Sequence, residues 1–248
     1  IQKSVPAQSL SRESLVFKKI IDSSYQALVG SNLLTVVLLD VIRGLLNDDP
    51  SQRWGIEELQ NWMDGRRGTP PQSSPSRKAQ RPLQVDGFNH VYPRTLAYSL
   101  ANRPETAMKL IKDGTLIKWV TRGLEDQDLA NSIEDLVTQA KANPEKQESD
   151  HVLLARILIY LDPLAPIRFK GVAFMPDAIG TAMMIERLRG GKLMPFAEAI
   201  NVEIAKAWFD SHSDISTVAE MKTMGYYRMR SHLRDKNPGY GIERCLYE

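Results

Sequence analysis

The side chains here that could do acid–base, nucleophilic or metal chemistry are four histidines, one cysteine and some acid pairs, and their spacing argues against each role. His90, His151, His212 and His232 lie 61, 61 and 20 residues apart. None shares the i, i+4 spacing that puts two ligands on one helix face, so surface or half-buried histidines are expected. Cys245 has no histidine near it in sequence, and a thiolate nucleophile needs a base or a cationic neighbour. As the single cysteine it also excludes an intrachain disulfide and a cysteine-built zinc site. Glu57-Glu58 and Glu134-Asp135 fall on helix faces read as exposed, where solvation or support of the helix dipole accounts for them. Trp54, Trp62, Trp119 and Trp208 sit among aliphatic residues at helical spacing, the pattern of core packing.

Positive charge is the other candidate chemistry. Residues 66–82, RRGTPPQSSPSRKAQRP, hold four prolines, three serines, no acid and the basic residues Arg66, Arg67, Arg77, Lys78 and Arg81. Such a stretch cannot build a core and reads as an exposed linker. A second basic group, Arg228, Arg230 and Arg234, lies in YYRMRSHLRDK (226–236). As a helix this segment places Tyr226, Met229 and Leu233 on one face and Arg230 and Arg234 on a neighbouring stripe. The expectation is a terminal helix docked by its apolar face; the alternative is an anionic contact, with nucleic acid or an acidic partner, through both basic groups.

The elements that must carry these residues are mostly helices. Residues 11–24 read as a short amphipathic helix. Residues 33–46, LLTVVLLDVIRGLL, are apolar enough for a helix buried on most sides. Asn47-Asp48-Asp49-Pro50 stops it, and a helix follows over 56–64 with an acidic first turn and Gly65 as terminator. Past the linker, LQVDGFNHVY predicts a hairpin turning at Asp86-Gly87, with Leu83, Val85, Val91 and Tyr92 for its apolar face. Pro93 then opens a helix over 94–101. Further helices are expected at 104–112, 115–123, 128–142 and 150–161, separated or ended by Asp113-Gly114, Asn143-Pro144 and Asp162-Pro163. A second extended pair turns at Lys170-Gly171, Pro176 opens another helix, Gly190-Gly191 breaks it, and helices at 194–209, 214–223 and 226–234 finish the chain. The fold class is therefore mainly α, with one or two short β-hairpins in the larger part.

Hairpin, proline and helix occur in that order at 83–101 and again at 167–185, which suggests a degenerate repeat of 83–143 in 167–235. An offset of 77 relates Gly114 to Gly191 and Trp119 to Phe196, whereas Pro93 and Pro176 are 83 apart.

Residues 43–64, RGLLNDDPSQRWGIEELQNWMD, resemble the last subdomain of eukaryotic-type serine/threonine protein kinases. The matching positions are Leu45-Leu46, the Asp49-Pro50 turn, Arg53 with Trp54, and the final helix over 56–62. Asp49 can accept backbone N–H bonds in the turn that Pro50 forces, and Arg53 offers a rigid fork for a carboxylate. In that family the carboxylate is a glutamate ending the activation segment. The chain lacks the Gly-rich loop, the strand lysine, the His-Arg-Asp loop, Asp-Phe-Gly and Ala-Pro-Glu of a working kinase. Gly239-Tyr240-Gly241-Ile242-Glu243-Arg244 does not replace the first of these, since arginine stands in the third glycine's place. From Leu83 onward the chain also looks like the helical extension that follows the kinase domain in some bacterial proteins.

Two explanations fit the resemblance, a C-terminal piece of a longer kinase-like protein, which a start at Ile1 rather than methionine favours, or a complete short protein that reuses the motif; the parts are a lobe end (1–65), a linker (66–82) and a helical domain (83–248). The resemblance implies no catalysis by this chain, with ATP and Mg belonging only to an upstream kinase domain, and a role in binding a protein partner or regulating the attached kinase module. Composition agrees with a core-forming chain. The 248 residues are 42% hydrophobic and 25% charged, and 32 basic against 30 acidic residues give no global preference for nucleic acid. No apolar run is long enough to cross a bilayer, and a lone cysteine suits a reducing, cytoplasmic setting.

Overall fold

The computed structural model describes residues 10–29, 35–49, 52–66, 68, 70, 77–142, 150–211, 216–235, 241–242 and 244–247. Leu33, Pro50, Arg67, the Asn143-Pro144 break, His212 and the 239–240 glycine–tyrosine pair lie outside the described residues. The described residues form twelve α-helices and two two-stranded sheets, so the fold is mainly α. Chain contacts divide it into two compact units, 1–77 and 78–248.

In the first unit, α1 (Arg12–Leu28) is capped by the Ser11 hydroxyl, which accepts the Ser14 N–H at 3.1 Å. The helix breaks at Ser23 (φ 82°, ψ 158°), close to the expected end, and then continues. Next come α2 (Val36–Leu45) and α3 (Ile56–Met63). The expected burial of 33–46 on most sides is not found in the described part: Val41 is buried, but Leu38 and Leu45 are exposed.

The second unit begins inside the stretch read as linker. Ala79 is buried, its N–H donates to the Val91 carbonyl at 2.7 Å, and the Gln80 N–H donates to the Gly123 carbonyl at 2.7 Å. Strands β1 (Leu83–Val85) and β2 (Phe88–His90) pair antiparallel, as do β3 (Ile167–Phe169) and β4 (Val172–Phe174). Both turn residues of each hairpin have positive φ: 46° and 85° at Asp86-Gly87, 46° and 84° at Lys170-Gly171. That is the I′ geometry whose twist matches paired strands and which glycine adopts without strain. Each turn is tied to a later element by an ion pair of opposite sense, Asp86 with Arg103 and Lys170 with Glu198. His90, expected at the surface or half-buried, is buried at 1% exposure in the place assigned to Val91. Its Nδ1 lies 3.2 Å from the Thr95 hydroxyl, which itself donates to the Tyr92 carbonyl.

The first hairpin is followed by α4 (Pro93–Ala101), α5 (Pro104–Lys112), α6 (Thr115–Arg122) and α7 (Gln127–Ala142). The second is followed by a 3-10 turn at Pro176–Ala178 and then α9 (Ile179–Leu188), α10 (Met194–Asn201), α11 (Ile204–Asp210) and α12 (Ser216–Arg234). Two differences from expectation have local causes. Residues 194–209 split because Glu203 takes a left-handed conformation (φ 56°), and 216–234 stays one helix with Gly225 inside it. Element order corrects the offset of 77. Gly114 (φ 75°) and Glu203 both start the third helix after a hairpin, and Trp119 and Trp208 both lie on that helix, so Trp119 corresponds to Trp208 rather than to Phe196.

Between these two sets runs α8 (Asp150–Leu161). Leu153, Leu154, Ile157, Leu158 and Leu161 join the core of the first set, while Val152, Ala155 and Ile159 join the core of the second. Just past its end, Asp162 is buried. It accepts from Arg94 Nε at 3.0 Å and from Arg168 Nη2 at 3.4 Å, and Arg168 also lies over the Tyr98 ring. One carboxylate thus joins α4 to β3. Removing it leaves two partly buried guanidinium groups without their carboxylate, so Asp162→Ala is expected to cost about 2–4 kcal/mol in urea unfolding. A loss under about 0.5 kcal/mol would mark the pair as solvated and idle.

Candidate functional site

The sequence motif at 43–64 covers the end of α2, the connection that follows it and α3. The Trp54 N–H donates to the Gly44 carbonyl at 3.0 Å, and the indole lies directly on Gly44. A Cβ on Gly44 would stand 2.3–2.7 Å from the ring atoms, closer than any side chain allows. Trp54 is buried by this contact. Asn47, also buried, caps the turn with its side-chain oxygen on the Asp49 N–H at 3.0 Å. Its carbonyl accepts from Arg53 Nε at 2.8 Å, so the arginine folds back on its own turn. The Asp49 carbonyl accepts from the Gln52 N–H at 3.1 Å.

Asp48 anchors the turn to the rest of the unit. Its carboxylate accepts the Ser24 N–H at 2.9 Å and the Ser24 hydroxyl, just past the kink in α1 where helical bonding is interrupted. Asn47 and Asp48 accept backbone N–H bonds here, a part that the expectation gave to Asp49 and that the sequence reading missed for these two residues. Their signal was the Asn-Asp-Asp run itself, since short polar side chains bond nearby backbone groups. On the far side, Glu58 accepts the Gly55 N–H at 2.7 Å, and that bond holds its carboxyl below the usual carboxylate range. A shallow open cleft beside the turn is lined by Trp54, Glu58, Asn61, Arg66 and Gly68.

The basic residues divide between the two units. Arg66 and Arg77 belong to the first unit, whereas Lys78, Arg81, Arg228, Arg230 and Arg234 belong to the second. The Arg81 carbonyl accepts the Trp119 indole N–H at 2.8 Å, which fastens this end of the basic stretch to α6. On α12, Met229 is buried with Tyr226 and Leu233 packed against the same core, the expected face. Arg228 and Arg234 are exposed, but Arg230 turns to an ion pair with Glu203. That carboxylate sits at the left-handed residue before α11, so the pair secures a backbone conformation that non-glycine residues seldom adopt. A small apolar recess beside it is lined by Ile200, Ala205, Phe209, Tyr226 and Tyr227 with Lys206 at its edge. Tyr226 donates to the Pro176 carbonyl at 2.8 Å, and burial, with the Asp177 carboxylate nearby, pushes its phenol well above the ordinary tyrosine range. Cys245 is buried too, its Sγ 3.4 Å from the Met229 carbonyl, which places the thiol in packing.

Among the described residues, no three His, Cys, Asp or Glu side chains gather as metal ligands, and no helix is long and apolar enough to cross a membrane. Compared with protein-family models, curated proteins and solved structures, the chain matches none of them.

Two measurements test the geometry. Gly44→Ala should displace Trp54, with a loss of about 1–3 kcal/mol and red-shifted tryptophan emission; wild-type emission and stability would show that the indole does not rest on Gly44. For Tyr226 the folded pKa is raised above the unfolded one, so its stabilisation is complete below the ordinary value of 10.0 and declines as pH rises past it. Urea midpoints between pH 8 and 11 should therefore fall more steeply for the wild type than for Tyr226→Phe (about one proton's worth of slope).

Proposed function

We propose that this chain is the non-catalytic C-terminal region of a serine/threonine protein kinase-like protein, acting as a protein-interaction or regulatory module. The observation that carries this reading is the first unit's apolar surface around the kinase-like turn. Ile21, Leu28, Leu38 and Leu45 are exposed on α1 and α2, more apolar side chain than three short helices leave in water without a partner. A lobe end whose helices lie against the remainder of a kinase domain accounts for both the turn and the exposed side chains. The bacterial origin and cytoplasmic setting of such a protein belong to the same proposal.

On this reading ATP and Mg belong only to an upstream kinase domain; the hairpins here, three-residue strands closed by two-residue turns, are shorter than a glycine-rich loop that covers a triphosphate. The alternative of an anionic contact loses Arg230 to its pair with Glu203. Incubated with labelled ATP, Mg and a generic protein substrate, this chain should transfer no phosphate. Robust transfer would sink the proposal, and so would an upstream coding sequence lacking the Gly-rich loop, the lysine and the two catalytic aspartates.

A further inference from the structure

The corner that joins α9 to α10 projects from the second unit. Residues 187–192 are exposed at every position, and the chain reverses at Gly190, where φ is 70°. Met184, Ile185 and Leu188 are exposed on the arriving helix, Leu188 at 79%, and Met194 is exposed at 63% where the next helix starts. Large apolar side chains therefore stand on both arms of the reversal. Single exposed aliphatic residues are ordinary, whereas four on one projecting corner mark a place where the chain meets something apolar.

Charge decides what that is. Between residues 178 and 201 the bases are Arg187, Arg189 and Lys192, all exposed, and the acids are Glu186 and Glu198. Both acids are engaged: half-buried Glu186 lays its carboxylate over Gly191, and Glu198 pairs with Lys170 of the second hairpin. The elements packed most closely on α9 are β4 and the 3-10 turns Pro176–Ala178 and Arg244–Tyr247. Their described residues add one exposed acid, Asp177, and one exposed base, Arg244. Asp177 precedes α9, about 16 Å along the axis from Leu188 at 1.5 Å per residue. The corner is therefore basic as well as apolar.

A bilayer surface of anionic lipid suits that combination. A projecting corner is the wrong shape to hold a partner's helix, whereas fluid acyl chains close around any apolar tip. The unbranched side chains of Met184 and Met194 adapt to such a medium. Arginine and lysine stems lie along the apolar layer while their charged ends stay among the phosphates. We propose that the α9–α10 corner docks this chain on anionic membrane surfaces, with Leu188 and Met194 entering the interface and Arg189 and Lys192 meeting lipid phosphates. One corner gives a peripheral, reversible contact. It uses the second unit alone and does not depend on the reading of the chain as a kinase tail.

Flotation of the full chain with lipid vesicles tests the proposal. One set contains roughly 30% phosphatidylserine in phosphatidylcholine, the other phosphatidylcholine alone. The chain should float with the first set and not with the second, and about 0.5 M salt should weaken binding about ten-fold or more. Leu188→Asp and the double variant Arg189→Glu/Lys192→Glu should each weaken it about ten-fold or more, with urea midpoints kept because these side chains are exposed. Cys245 is buried, so Leu188→Cys can be labelled selectively with an environment-sensitive dye, whose emission should shift to the blue on the anionic vesicles. Equal binding to both sets, undiminished binding by Leu188→Asp, or unshifted emission from the bound labelled chain would overturn the proposal. So would binding to neither set at about 1 mM lipid, which would leave the corner to a protein partner.

Discussion

The second unit depends on α8 having no solvent face wide enough to serve as a surface. Its apolar residues fall on two sides, one in each hydrophobic core. An amphipathic helix satisfies itself with one partner layer, whereas this one needs two. Either set alone would leave a row of large aliphatic side chains in water. At roughly 25 cal/mol per Å² of apolar surface, that exposure is comparable to the whole net stability of a small domain. The two sets are therefore bound into one folding unit, and Asp162 marks the point where they meet. Its carboxylate is held between an arginine from the first helix of one set and an arginine from the hairpin of the other.

That constraint explains why the two sets are alike in order but unequal in finish. Each starts with a tight hairpin, tethers the turn to a later element by an ion pair, and places a tryptophan on its third helix. Among the described residues the first set is closed by the full helix α8, whereas the second is met by the 3-10 turn Arg244–Tyr247, whose buried cysteine packs beside Met229.

Much of this was legible in the sequence, and the misses have a common cause. Both hairpins were readable because Asp-Gly and Lys-Gly declare a turn geometry within two residues. The helix breaks at Asp113-Gly114 and Gly190-Gly191 were equally local. What failed was information held between distant segments. Residues 33–46 and 150–161 are both aliphatic-rich, and composition could not say which would be enclosed on two sides; the structure encloses the latter. A non-glycine left-handed residue such as Glu203 has no local signature, because its conformation is supported by Arg230, 27 residues away. Pairing Trp119 with Phe196 failed for the same reason: letters were matched where element order was needed. Of the candidate site, the turn between α2 and α3 was legible in outline, but Asn47, Asp48 and Gly44 were not singled out.

Those three residues also say what a motif of this kind can carry. Every bond described in the turn is made within residues 24–58: Gly44 under Trp54, Asn47 to Arg53 and Asp49, Asp48 to Ser24, Glu58 to Gly55. A turn satisfied by its own neighbourhood keeps its shape without the distant carboxylate that the resemblance would supply. Spelling and geometry here therefore attest to local packing, and chemistry at a remote centre has to be argued from that centre's own residues. Arg53 makes the point most directly, since its Nε is occupied by a backbone carbonyl six residues away. For any further partner, such a guanidinium offers only its remaining N–H donors, in a direction already set by that bond.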